Sequence, residues 1–241
     1  MTPVVYVGYD GRELEAFEVA CASLARRSRH VVEIHKLDAR ELYRQRLLWR
    51  PIEHSANGGM IDHLSGAPQS TEFATSRFLV PFLQRRGWAL FVDCDVVFLG
   101  DVDELFALAD SHYAVMCVKH GVLPGVGVKM DGQAQLPYPR KNWSSVLLWN
   151  CDHPAHHRLS LSMVNFWPGE LLHRFAWLRD GEIGALPAEW NWLVNVQPKP
   201  EQPKLAHFTL GGPWLPRWQG AEHDEVWNAE RNAASHHAAV G

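Results

Sequence analysis

The sequence predicts an α/β fold on a parallel sheet, and three observations carry that prediction. Residues 4–8 form a short β-branched and aromatic run, Leu14, Phe17, Cys21 and Leu24 then share one helical face, and residues 31–37 form a second extended run. A strand–helix–strand unit of this kind implies parallel strands joined by a right-handed crossover. Next, Trp88-Ala89-Leu90-Phe91-Val92 is apolar without alternation, which suits a strand buried on both faces. Finally, that run stops at Asp93-Cys94-Asp95. Ligands gather at the carboxyl ends of such strands.

Further along the chain, residues 50–70 are rich in Gly, Pro, Ser and His and read as a long surface loop. A helix is expected over 73–83, bent near Pro81, and the acidic strand over 88–93. A short acid-initiated helix over 101–108 precedes a strand over 113–118. Residues 121–142 hold four glycines and three prolines and read as irregular. A strand is expected over 143–149 and helices over 159–167 and 171–178. Residues 1–220 read as one domain. The tail, 221–241, lacks apolar periodicity beyond Val226 and Trp227, and its end from 232 is expected to be disordered.

Composition narrows the function classes. Hydrophobic residues make up 46% of the 241, enough for a substantial core, and the net charge of −4 argues against nucleic acid as the main partner. The four cysteines lie far apart without paired spacing, which favours free thiols over a disulfide framework. No signal peptide is legible at the N-terminus, and no apolar stretch approaches the roughly 18 residues that span a bilayer. The expected location is cytoplasmic, with peripheral membrane contact still open.

Asp93 and Asp95 are spaced i, i+2, so on a strand their carboxylates leave by the same face. Converging acids are costly unless a cation or proton compensates them, and a divalent metal is the economical explanation. The alternative is that one acid caps the next helix while the other is solvated. Cys151-Asp152-His153-Pro154-Ala155-His156-His157 is a competing zinc candidate, but no second ligand pair lies at zinc-site spacing. A turn opened by Pro154 is the favoured reading there. Nine of the eleven tryptophans lie beyond position 142. Trp214 and Trp218 could stack on an acceptor sugar and Trp190 or Trp192 could line a cleft, but core packing is the favoured role for the set.

Several segments, in order, carry a family resemblance: Val7-Gly8-Tyr9-Asp10, Ser76-Arg77, Phe91-Val92-Asp93-Cys94-Asp95, and Trp143-Ser144-Ser145 running on to Asn150. Leu186-Pro187-Ala188-Glu189-Trp190-Asn191 and His207-Phe208-Thr209-Leu210-Gly211-Gly212-Pro213-Trp214 complete the set. Over roughly residues 4–216 the chain resembles GT-A fold glycosyltransferases, and within them glycosyltransferase family 8, in a small bacterial branch. The resemblance implies a Rossmann-like mixed central sheet flanked by helices. It also implies transfer of a hexose from a nucleotide diphosphate sugar, by resemblance UDP-linked, to a glycan or glycolipid acceptor.

The same resemblance implies roles. Asp93 and Asp95 match the metal-binding DxD, and His207 the histidine completing a Mn²⁺ (or Mg²⁺) site. Tyr9 and Asp10 match the turn contacting base and ribose. Arg77 matches an arginine that holds the donor, although an ion pair with Asp93 or Asp95 reads equally well. Asp180 or Glu182 sits where the family has acidic or amide groups touching the transferred sugar, and Glu182 or Glu189 could act as a base in an inverting reaction. Two departures stand out: Trp143-Ser144-Ser145 replaces an Asn-Ala-Gly turn, and Gly211-Gly212-Pro213 replaces a diphosphate-binding lysine. Backbone N–H groups of Gly211 and Gly212 could cradle a phosphate instead. Two other readings remain, a non-catalytic nucleotide- or glycan-binding homologue and a sugar nucleotidyltransferase. The second lacks the expected lysine in Gly8-Tyr9-Asp10-Gly11-Arg12.

Overall fold

The computed structural model describes residues 2–54, 59–121, 128, 129, 133, 134, 140 and 142–240, with the backbone alone at 128, 129, 133, 134 and 235–240. The chain opens with strand β1 (Val4–Tyr9), helix α1 (Leu14–Arg27), strand β2 (Glu33–Asp38) and helix α2 (Ala39–Arg44). Strands β3 (Ile52–His54), β4 (Met60–Asp62) and β5 (Ala67–Gln69) follow, then a 3-10 turn (Ser76–Leu79) leading into helix α3 (Val80–Gln84). Strands β6 (Trp88–Val92) and β7 (Val96–Phe98), helix α4 (Val102–Phe106), strand β8 (Val115–Cys117) and the pair β9 (Val128–Lys129) and β10 (Gln133–Ala134) come next. The rest comprises strand β11 (Val146–Asn150), helices α5 (Leu161–Phe166) and α6 (Gly169–His173), strands β12 (Ile183–Ala185), β13 (Trp192–Leu193) and β14 (Leu205–His207), and helix α7 (Asp224–Val240).

The central sheet has the order β12–β8–β11–β6–β1–β2. Strands β1, β2 and β6 run parallel, whereas β11 runs antiparallel to both β6 and β8, so the sheet is mixed. Ala89, Leu90, Phe91 and Val92 have no exposed surface, which is why this strand shows no alternation. A second sheet, β13–β14–β7, begins directly after the acidic pair and pairs β7 antiparallel with β14.

Four expectations are corrected. Residues 50–70 are not a loop throughout: β3, β4 and β5 form an antiparallel sheet there. Strands of three residues are too short for their periodicity to show in sequence. Buried Arg50 staples this sheet to the body, pairing with Asp62 at 2.7 Å and donating to the carbonyls of Val164 and Trp167. Residues 55–58, and most of the irregular stretch 121–142, lie outside the described residues. Pro81 stands in the first turn of α3 and starts the helix rather than bending it. Helix α1 buries Ala16, Val19, Ala20, Ser23 and Leu24, rotated from the expected face, and leaves Leu14 exposed. After residue 220 the chain forms α7, whose Trp227 and Glu230 are buried. Two polar anchors that leave no apolar period hold it, because Glu230 takes both Arg26 and Arg27 of α1. The four cysteines are free thiols, as expected.

Candidate metal centre

The site forms where the two sheets meet. Strand β6 ends at Val92, and Asp93 continues the edge by donating its N–H to Ser145 O at 3.0 Å. The chain then turns into β7, where Val96 lies opposite His207 of β14, and Phe208 N–H donates to Asp95 O at 2.8 Å. This register carries a histidine from late in the chain to the acidic pair. His207 Nε2 lies 3.2 Å from Asp95 Oδ1 and 4.0 Å from Asp93 Oδ2. One ligand atom from each of Asp93, Asp95 and His207 falls within 4.8 Å of the others, the only such group among the described residues. Two hard carboxylates and an imidazole at this spacing form a possible divalent-metal site.

Arg77, in the turn before α3, pairs with Asp93 Oδ1 at 2.8 Å and is itself buried. The same guanidinium donates to Ser144 O at 2.7 Å and Ala74 O at 3.0 Å. Arg77 is therefore a built counter-charge to the acidic pair.

On the far side, Asn191 Oδ1 lies 2.9 Å from His207 Nδ1. An amide oxygen only accepts, so Nδ1–H donates there, and Nε2 is the ring nitrogen that faces the acids. Asn191 Nδ2 in turn lies 3.0 Å from both Ser145 Oγ and His120 Nε2. Burial, and then neighbouring His207, push His120 down to about 4.

Glu13 escaped the sequence reading, since nothing distinguishes it from any acid at a helix start. It is buried, its Oε1 has no hydrogen-bond partner, and its Oε2 accepts from Cys94 Sγ at 3.6 Å. Burial, then the charges of Asp95 and Asp10, raise its carboxyl to about 8. Burial first, then Glu13 and the acidic pair, hold the Cys94 thiol well above its usual range.

Other expected residues stand as follows. Asp10 is fully buried, its carboxylate engaged by Arg12 Nε at 2.9 Å and by the backbone N–H groups of Arg12 and Glu72. Burial alone would raise its pKa, but these Arg12 and Glu72 contacts hold it below the usual carboxylate range. Tyr9, ending β1, packs edge-on to Phe17 beneath the Lys36 ammonium. Gly211 N–H already donates to Phe208 O at 2.7 Å, so that arm of the expected phosphate cradle is taken. The two glycines serve packing: a Cβ would meet Trp218 at 2.4 Å from Gly211 and Trp214 at 2.0 Å from Gly212. Trp190 and Trp192 are both core residues, and Trp214 packs on Trp227 and Phe208. Near Cys151, His153 caps the turn opened by Pro154 and His156 bonds Ala114 O, so the zinc candidate is a turn.

Asp180 and Glu182 stand apart from this cluster. They precede β12, which runs parallel to β8 from a start opposite Val115. Glu182 O accepts from Ala114 N–H, Ala114 O from Asn150 N–H, and Asn150 pairs with Trp88, the first residue of β6. Both acids thus sit at the amino edge of β6, five residues before Asp93 and about 16 Å away along the strand. Asp180, exposed, pairs with Arg140, and half-buried Glu182 pairs with Arg158.

Similar solved structures include the bifunctional glycosyltransferase WbbM (TM-score 0.61, 13% identity, 95% of this chain and 49% of that one). They also include GlyE of Streptococcus pneumoniae (0.59, 15% identity, 96% and 60%) and the galactosyltransferase LgtC with donor and acceptor sugar analogues (0.60, 12% identity, 95% and 95%). This chain therefore has the GT-A glycosyltransferase fold, and it spans about half of WbbM's length and 60% of GlyE's. No protein-family model matches the sequence. Protein CDI of Arabidopsis thaliana is 44% identical over 229 residues, covering 92% of this chain and 83% of that protein. The chain belongs to the family of CDI. Among the described residues no helix is long and apolar enough to cross a membrane.

Proposed function

We propose that this protein is a divalent-metal-dependent glycosyltransferase that moves a hexose from a nucleotide diphosphate sugar to a glycan or glycolipid acceptor. The observation that carries the reading is the orientation of His207. Its Nδ1 faces Asn191 Oδ1, so Nε2 is the ring nitrogen turned to the oxygens of Asp95 and Asp93. Two carboxylates converging with an imidazole at this spacing suit a divalent cation held among them. The donor set suits Mn²⁺ or Mg²⁺, and a bound ion would supply positive charge for a leaving diphosphate. UDP is the nucleotide favoured by resemblance to family 8. Around the ion the chain's own groups do the rest: Arg77 holds Asp93 in place, and Asn191 holds His207.

Asp93→Ala and Asp95→Ala should each abolish Mn²⁺-dependent UDP binding in calorimetry, while wild-type-like binding in either would overturn the assignment. One observation favours a second reading, a non-catalytic nucleotide-binding homologue. The diphosphate lysine is absent, and Gly211 N–H, one of its substitutes, is already bonded. Release of free hexose from a UDP-hexose in the presence of Mn²⁺ decides between the two, since a non-catalytic protein releases none.

A further inference from the structure

Asp10 lies beside the acidic pair yet has no capacity left for a ligand. Strands β1 and β6 run parallel with Val7 opposite Val92, and the same register sets Asp10 level with Asp95. An ionised carboxylate offers about four lone-pair sites on its two oxygens. In Asp10, Oδ1 accepts from Arg12 N–H at 3.0 Å and Arg12 Nε at 2.9 Å, and Oδ2 accepts from Arg12 Nη2 at 2.6 Å and Glu72 N–H at 3.1 Å, so every site is taken. The residue has no exposed surface. A ribose hydroxyl, the contact that resemblance gives it, would have to break one of these bonds to enter.

The partners of Asp10 come from two separate segments. Arg12 belongs to the 3-10 turn Gly11–Glu13, which Asp10 caps. Glu72 stands 62 residues away, shortly after β5 ends at Gln69. The guanidinium nitrogen that meets Oδ2 also donates to Ser70 O at 2.9 Å. The Asp10–Arg12 pair therefore offers an acceptor to Glu72 N–H and a donor to Ser70 O, as the edge of a neighbouring strand would. Both contacts are to backbone, so they grip the chain leaving β5 whatever side chains it carries. Where the chain enters β3, Arg50 and Asp62 form a second guanidinium–carboxylate pair, and Asn165 accepts from Trp49 N–H and donates to Leu47 O. The β3–β4–β5 sheet is thus fastened at its entry and at its exit.

We infer that Asp10 is a positioning residue rather than a nucleotide ligand: with Arg12 it clamps the exit of the β3–β4–β5 sheet to the turn after β1, level with the metal-site acids. The clamp fixes the approach to those acids from the β1 side, and donor binding depends on Asp10 through it. The exit is also the end that loosens first, because the Arg12 side chain is 38% exposed where that of Arg50 is 1% exposed. The geometry of the clamp stands by itself, while its bearing on a donor rests on the nucleotide-sugar reading above.

Amide hydrogen exchange of the ligand-free protein, followed by NMR, reads the clamp. In the wild type the Glu72 amide should exchange at least on the order of 100-fold more slowly than in an unstructured peptide. Asp10→Asn and Arg12→Gln should each speed exchange across residues 67–72 by on the order of 10-fold, the loss of one charge-assisted hydrogen bond. Calorimetry with Mn²⁺ then separates the two roles. UDP, 2′-deoxy-UDP and 3′-deoxy-UDP should weaken by one common factor in both variants, so their affinity ratios stay those of the wild type. Arg12→Gln discriminates most sharply, because it uncovers the Asp10 carboxylate. A ribose ligand would then keep or gain UDP affinity, whereas a clamp loses on the order of 10-fold. A rapidly exchanging Glu72 amide in the wild type overturns the inference without any variant having to fold. So does a deoxy penalty that vanishes in Asp10→Asn while Arg12→Gln binds UDP as the wild type does. If the wild type binds no UDP, the nucleotide reading fails and the exchange rates alone decide the clamp.

Discussion

Arg77 Nη1 meets Asp93 Oδ1 at 2.8 Å, both residues being buried where the 3-10 turn Ser76–Leu79 meets the end of β6. The pair ties the turn before α3 to the proposed metal edge. Removing one partner of a buried ion pair leaves a desolvated charge and costs about 3–5 kcal/mol. Arg77→Met should destabilise by that amount in urea unfolding. Millimolar Mn²⁺ should then stabilise the variant more than it stabilises the wild type, because the ion takes over the counter-charge. Equal stabilisation of both would show that Asp93 does not see the ion. Arg77→Lys keeps the charge but not the fork that reaches Ala74 O and Ser144 O, and should fall between.

Glu13 enters folding as a neutral acid. Its folded pKa of about 8 stands above the ordinary 4.5, so between those values the native state binds the extra proton. Stability contributed by protonated Glu13 is full below 4.5 and is lost as pH rises through 8, at no more than about 1.4 kcal/mol per pH unit. Glu13→Gln, which resembles the neutral acid in shape, should flatten the decline between pH 6.5 and 8. An unchanged decline in urea titrations of the variant would place the titrating group elsewhere.

His156 acts in the opposite direction. Its Nε2 donates to Ala114 O at 3.1 Å, and burial first, then neighbouring His153 and Arg158, outweigh that bond and lower it to about 4. The unfolded chain takes up a proton near 6.5 that the native state refuses, so stability is full above 6.5 and is lost as pH falls toward 4. His156→Phe should cost about 1 kcal/mol at pH 8 for the lost hydrogen bond, since Ala114 O keeps its bond from Asn150 N–H. Its acid-side loss between pH 6.5 and 4 should be shallower than that of the wild type. His120 shares the same direction, so the wild-type profile should peak near pH 6.5, with histidines limiting the acid side and Glu13 the alkaline side.

Local signals carried much of this fold. The run 88–92 reads as buried because Ala89 to Val92 have no exposed surface, and Asp101 caps α4 through Asp103 N–H as an acid at a helix start should. Pairings across long separations were beyond such reading. His207 reaches Asp95 only because β14 registers with β7, strands of three residues each whose periodicity is too brief to see. The polar chain behind His207 depends on Ser145 and Asn191, which are 46 positions apart and carry no charge to draw notice. Family resemblance rests on the order of motifs along the chain, and chain order says nothing about which edge of a sheet a residue occupies.

That last point yields a prediction about Asp180 and Glu182. Resemblance suggests contact with the transferred sugar, but β12 starts at the edge where β6 also starts, whereas Asp93 lies past its end. The segment after β12, not the one before it, returns to the acidic edge, because Leu186 N–H bonds Cys117 O and Asn191 reaches His207. Asp180 has 93% of its side chain in solvent, paired to Arg140, and Glu182 is held by Arg158 and the Arg179 N–H. Exposed pairs of this kind contribute about 0–1 kcal/mol. Asp180→Asn and Glu182→Gln should therefore leave Mn²⁺-dependent UDP affinity and donor turnover within about twofold of wild type, well under 1 kcal/mol. Asn191→Ala in the same assay should lose both. A tenfold loss in either acid variant with Asn191→Ala unaffected would move the sugar site to the opposite edge of the sheet.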